Sequence, residues 1–117
     1  MRKKLTEDVP YNCKVTTKDL HYQGWHMKEM QPWFKKSFLK AGQDFFDGKD
    51  GNTYGCGGGI PLLNKLENIY PETQIIALGV VGPNANIHAP NECINLAYAK
   101  KLTCSLSHMV AAAGLQK

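Results

Sequence analysis

One stretch of this chain limits its fold more than any other. From Gln74 to Val81 the residues are almost all apolar and rich in β-branched types, with Pro71 before them and Gly82-Pro83 after. A run of this length, bounded by turn residues, suits a parallel strand covered on both faces. Such a strand needs neighbours on both edges and layers on both sides. The chain has 117 residues, enough for one compact unit at most. It offers few other segments to fill those places.

The remaining pattern is read around that strand. Val9, Tyr11, Cys13 and Val15 alternate with Pro10, Asn12, Lys14 and Thr16, the period of a half-buried strand, and Pro10 sets it at an edge. Residues 21–30 show no period and read as a loop. Phe34, Phe38, Ala41 and Phe45 form one apolar stripe, which predicts a helix over 30–46 with Pro32 in its first turn and Gly48 as its stop. Ile60-Pro61 opens a second helix, with Leu62, Leu63, Leu66, Ile69 and Tyr70 on one side, and Pro71 ends it. A third helix is expected over 94–113, with Tyr98, Leu102, Leu106, Met109 and Val110 facing inward. The order strand, helix, helix, strand, helix predicts an α/β fold. Its missing neighbours imply that another chain, or more of the same domain, supplies strands.

Composition narrows the function classes. The net charge is +4 with histidine neutral, part of it in Arg2-Lys3-Lys4. No basic stripe interleaved with aromatics occurs, so nucleic-acid binding is not expected. No apolar run approaches the roughly 20 residues that span a bilayer, and no apolar stretch follows the basic start as in a signal peptide. A cytoplasmic setting is the expectation. Cys13, Cys56, Cys93 and Cys104 form no C-x-x-C pair, which argues against a zinc ribbon or redox motif and for reduced, partly buried thiols.

Two loops carry candidate chemistry. Gly55-Cys56-Gly57-Gly58-Gly59 runs into the second helix. It lacks the frame of a dinucleotide fingerprint and the Gly-Lys-Ser/Thr of a phosphate loop. Backbone without side chains, leading to free N–H groups at a helix start, favours an anion such as a carboxylate. The same glycines also suit a tight turn that brings helix and sheet close. After the apolar run, Gly82-Pro83-Asn84-Ala85-Asn86-Ile87-His88-Ala89-Pro90-Asn91-Glu92 presents one histidine at the carboxyl end of the expected strand, where ligands sit in open α/β sheets. His88 could ligate zinc, with Asn86, Asn91 and Glu92 as orienting neighbours. Asn91 and Glu92 equally suit the cap and first turn of the last helix. One ligand is not a site, and His21, His26 and His108 lie on other segments. His108 reads as a surface or packing residue. No G-x-S-x-G nucleophile elbow is present. A Cys56–His88 pair is conceivable, with nothing in the spacing to support it.

These elements together resemble the carboxyl-terminal end of two-zinc metallopeptidases related to carnosinase, aminoacylase and succinyl-diaminopimelate desuccinylase. The resemblance rests on Gly57-Gly58-Gly59-Ile60-Pro61-Leu62-Leu63, on the apolar run, and on the His88 loop. Residues 9–15 resemble the last strand of the family's lid domain. Gly24-Trp25, Trp33 and Phe45-Phe46-Asp47-Gly48-Lys49 resemble the return into the catalytic domain. The resemblance implies a partial three-layer αβα sandwich. It would comprise the end of a lid-domain strand over residues 1–20 and the carboxyl-terminal part of a zinc-exopeptidase-like catalytic domain over residues 21–117. It implies zinc as cofactor, His88 as the last metal ligand, and Gly57, Gly58 and Gly59 at the carboxylate of a dipeptide or N-acyl amino acid substrate. Cys56 stands where the family has Glu, and Gly59 where it has Ser or Thr. The other ligands and the catalytic base belong to an amino-terminal half that has no counterpart here. The expectation is therefore a hydrolase fragment, inactive alone. The alternative is a non-catalytic α/β module that forms a homo-oligomer or docks on a partner chain.

Overall fold

The computed structural model describes residues 2–7, 9–21, 23–56 and 60–116. Among these it contains four α-helices: α1 (Arg2–Thr6), α2 (Pro32–Phe45), α3 (Pro61–Ile69) and α4 (Leu96–Gly114). A 3-10 turn spans Pro10–Asn12. The three longer helices lie where periodicity and punctuation place them, within two residues at each end.

The expected α/β sandwich is not formed. No strand and no sheet occurs among the described residues. The alternation at 9–16 fails locally, because Tyr11 and Asn12 take left-handed backbone angles, φ 63° and 52°, inside the 3-10 turn. That conformation interrupts the pleat that period-2 alternation requires. The apolar run at 75–81 fails for a different reason. It is neither helix nor turn, but no other segment among the described residues pairs with it, and a strand exists only as part of a hydrogen-bonded ladder.

The packing that does form is helix on helix. Phe34, Ser37, Ala41 and Gly42 are the buried residues of α2, and Ser105 and Met109 those of α4. The expected phenylalanine stripe is the inner face of α2: Phe34 stacks near Phe38, with ring centroids 6.4 Å apart. The inner face of α4 is rotated from the expected one. Ser105 and Met109 face inward, with Leu102 half-buried, whereas Leu106 and Val110 are exposed. Small residues at Ser37, Ala41 and Ser105 let two helices approach closely, which larger side chains at those places would prevent.

The end of α2 is fixed by chain geometry. Asp47 and Gly48 both adopt positive φ, 57° and 77°. Gly48 N–H donates to the Gln43 carbonyl at 3.0 Å and Phe46 N–H to that of Gly42 at 2.9 Å, so the last carbonyls of the helix are satisfied. Gly42 then admits the returning loop. A Cβ built on it would meet Lys49 O at 2.6 Å and Gly51 N at 2.7 Å.

Helix α3 has no buried residue and is tethered by polar contacts. Lys28 Nζ lies 3.7 Å from Glu67 Oε1 and donates to Pro71 O at 2.9 Å. Gln31 N–H donates to Gln74 Oε1 at 2.9 Å, and Gln31 Nε2 to Glu72 O at 3.1 Å. The result is open and thin. The radius of gyration is 19.4 Å and the extents are 60 × 34 × 17 Å, against about 13 Å for the radius of a compact domain of this length. Among the described residues the buried apolar side chains are Phe34, Ala41, Ala85 and Met109.

Candidate functional site

The His88 loop is a closed unit. Ala85 N–H donates to Gly82 O at 3.2 Å, and Ala89 N–H to Asn86 O at 2.9 Å. Cys93 N–H donates to Ala85 O at 3.0 Å, and the Cys93 thiol lies 3.6 Å from Asn84 O. Ala85 is buried beneath these contacts at 8% exposure. Ala85 and Cys93 thus tie the base, and residues 86–92 form the projecting part.

Asn84, Asn86, His88 and Asn91 all take left-handed backbone angles, with φ between 51° and 63°. Asparagine tolerates this region because its short amide bonds to local backbone, and histidine visits it more than most residues. The succession of tight turns leaves His88 exposed at the surface. Such local strain persists where surrounding contacts determine it, and it gathers at functional sites. Asn91 and Glu92 do not start the last helix. Asn95 is its N-cap, its Oδ1 accepting from Tyr98 N–H at 3.0 Å, so Asn91 is a turn residue.

The expected partners of His88 are not assembled around it. Among the described residues, no three histidine, cysteine, aspartate or glutamate side chains come together as a metal-binding group. Gly57, Gly58 and Gly59, expected to hold a carboxylate, lie outside the described residues. Cys56 is described and exposed, as are Cys13, Cys93 and Cys104; the expectation of partly buried thiols is corrected. His21 and His26 are exposed. His108 sits half-buried on α4 with its ring 6.4 Å from that of Phe45, a packing position, one of the two roles, surface or packing, expected for it.

Two concavities lie away from the loop. One, of about 210 Å³, is lined by Trp25, Lys28, Glu67, Glu72 and Gln74, among others. The other, of about 650 Å³, is an open groove beside α2 and α4, with Trp33, Lys36, Ser37, Lys40, His108 and Leu115 among its lining residues. Neither includes His88 or Cys56. Two polar atoms near them, Trp25 Nε1 and Ser37 Oγ, are buried without a hydrogen-bond partner.

An ion pair joins the two packed helices. Asp47 accepts from Lys101 Nζ at 2.8 Å. This hydrogen bond, then the Lys101 charge, holds the Asp47 carboxyl below its ordinary value of 3.8. The pair joins the end of α2 to α4, across 54 positions of sequence. No local sequence signal marks it, because the two residues meet only once the helices pack.

No helix among the described residues is long and apolar enough to cross a membrane. No family model matches the chain, and no solved structure matches it. Over 58 residues, 50% of its length, the chain is 34% identical to the cysteinylglycine-S-conjugate dipeptidase of Corynebacterium striatum. That stretch covers 13% of the dipeptidase. Half of the chain is therefore similar to a small part of a dipeptidase.

Proposed function

We propose that the chain is part of a dipeptidase-like amide hydrolase, acting on dipeptides or N-acyl amino acids only together with polypeptide outside these 117 residues. The observation that carries this reading is the 34% identity to a dipeptidase over half of the chain.

The described donor set does not fit a self-contained zinc site, since no three ligating side chains meet. Structural and catalytic zinc sites alike need at least three protein ligands. In this reading His88 contributes one ligand, held exposed at the head of a hydrogen-bonded loop. The other ligands and the general base come from the complementing polypeptide. Gly57, Gly58 and Gly59 serve the substrate carboxylate through backbone N–H groups.

The test is complementation. The chain is mixed with the Corynebacterium striatum dipeptidase deleted for its matching stretch, and hydrolysis of a cysteinylglycine S-conjugate is followed with added zinc. Turnover that appears only in the mixture, and is lost with His88→Ala, supports the reading. A mixture as inactive as its parts overturns it.

A further inference from the structure

The open groove of about 650 Å³ is lined from both α2 and α4, and its volume is ordinary for a small-molecule pocket, about 300–1,000 Å³. We propose that this groove binds a small carboxylate with an apolar body. The apolar part lies against Trp33, Leu39, Ala112 and Leu115, and the carboxylate is taken by Lys36, Ser37 and His108, all of which line the groove. The proposal stands independently of the hydrolase reading.

Charge and hydrogen-bonding capacity select the ligand. Among the described residues, no aspartate or glutamate lines the groove, whereas two lysines and a histidine do. Lys40 is already paired with Asp44. Trp33 Nε1 donates to Gln31 Oε1 at 2.6 Å, and the amides of Gln43 and Gln116 donate to Asp50 Oδ1 and the Ala112 carbonyl. Lys36, by contrast, has no ion pair or side-chain hydrogen bond among the described residues, and the ring nitrogens of His108 have no hydrogen-bond partner there. Ser37 is 5% exposed and its hydroxyl is unpartnered. A buried hydroxyl in that state destabilises the fold, and it calls for a partner that the chain itself does not supply. Three uncommitted donors, one of them a cation, thus share a groove with apolar walls. An anion with a hydrocarbon body answers both.

The groove is separate from the surface that further polypeptide would complete. Residues two apart on a helix lie about 200° apart around its axis. His108 and Ala112 therefore occupy the side of α4 opposite Leu106 and Val110, which are 46% and 63% exposed. Polypeptide that covers this exposed apolar side does not occupy the groove. Neither does polypeptide that pairs with the apolar run, since of residues 75–81 none lines it. The exposed Lys36 and Lys40 on its α2 wall suit a surface that stays in water.

Isothermal titration calorimetry on the full chain tests this with octanoate as the probe. Acetate serves as the anion without the apolar body, and octyltrimethylammonium as the same body with the opposite charge. Saturable binding of one octanoate per chain is expected, about tenfold or more tighter than either comparison compound. Lys36→Gln weakens it by about three- to tenfold. Ala112→Phe fills the groove and weakens it by about tenfold or more. Ser37→Ala separates a binding role from a structural one, because it stabilises the free chain yet weakens octanoate binding. Far-UV circular dichroism checks that the helices persist in each variant. Absence of octanoate binding, non-saturating uptake, equal binding of octyltrimethylammonium, or an affinity unchanged in both Lys36→Gln and Ser37→Ala would each overturn the proposal. A dimer in sedimentation equilibrium that Ala112→Phe dissociates would also overturn it, and would assign the groove to a second copy of the chain.

Discussion

Lys101 Nζ on α4 lies 2.8 Å from Oδ2 of Asp47, which sits in left-handed backbone just past the end of α2. The same ammonium is 6.0 Å from the centroid of the Phe46 ring, which in turn lies 5.4 Å from that of Tyr98. One cation thus holds a strained turn and covers an aromatic contact at the junction of the two packed helices. Because Asp47 is depressed below its ordinary value of 3.8, its contribution is present in full above that value. It is lost as pH falls below 3.8 toward the depressed folded value. Acid titration followed by circular dichroism should show a destabilising step in that window, absent in Asp47→Asn. Asp47 is largely solvated and Lys101 partly so, so the step is small and shrinks with added salt.

Gly42 is required by close approach. Its Cβ position lies 2.6 Å from the Lys49 carbonyl and 2.7 Å from the Gly51 nitrogen, and both are backbone atoms. Gly42→Ala must displace the loop after α2 and should cost about 1–3 kcal/mol despite its better helix propensity. Thermal unfolding measures it. A variant as stable as the parent would mean that the loop does not rest on α2.

Ser37 presents the opposite case. It is 5% exposed and its hydroxyl has no hydrogen-bond partner. Ser37→Ala removes an unsatisfied buried group without changing the backbone, and should stabilise by about 1 kcal/mol. Chemical denaturation, read as a shift in midpoint at constant slope, checks this.

Much of the helical framework was legible in the sequence, and the reason is local. Pro32 and Pro61 mark helix starts and Gly48 a stop, and the stripe Phe34, Phe38, Ala41 and Phe45 on α2 is an i, i+4, i+7, i+11 pattern visible without any partner. Whether a sheet forms is not legible in the sequence, because strands are not local. The apolar character of residues 75–81 specifies burial, but only a neighbouring strand turns burial into a ladder, and the described chain contains none. The inner face of α4 was misplaced for a similar reason. Leu106 and Val110 are strongly apolar, yet the buried positions are Ser37 and Ala41 on α2 and Ser105 and Met109 on α4. In the candidate site, His88 stood out by residue type and loop position. The left-handed backbone at Asn84, Asn86, His88 and Asn91 had only a weak signal, the density of asparagine.

That backbone makes His88 testable as a structural residue. Its side chain is exposed and its φ of 59° favours glycine. His88→Gly should leave the helices intact and stabilise the loop by about 1 kcal/mol or less, measured by thermal unfolding. A marked loss of stability would assign the imidazole a packing role, against its proposed function as a ligand.

The most direct measurement is zinc stoichiometry of the purified chain, with hydrolysis of a cysteinylglycine S-conjugate assayed on the same sample. The account predicts no stoichiometric zinc and no turnover by the chain alone, because the described residues bring no set of ligands to His88. One equivalent of zinc that is lost in His88→Ala, accompanied by metal-dependent turnover, would contradict it and show that the chain carries a complete catalytic centre.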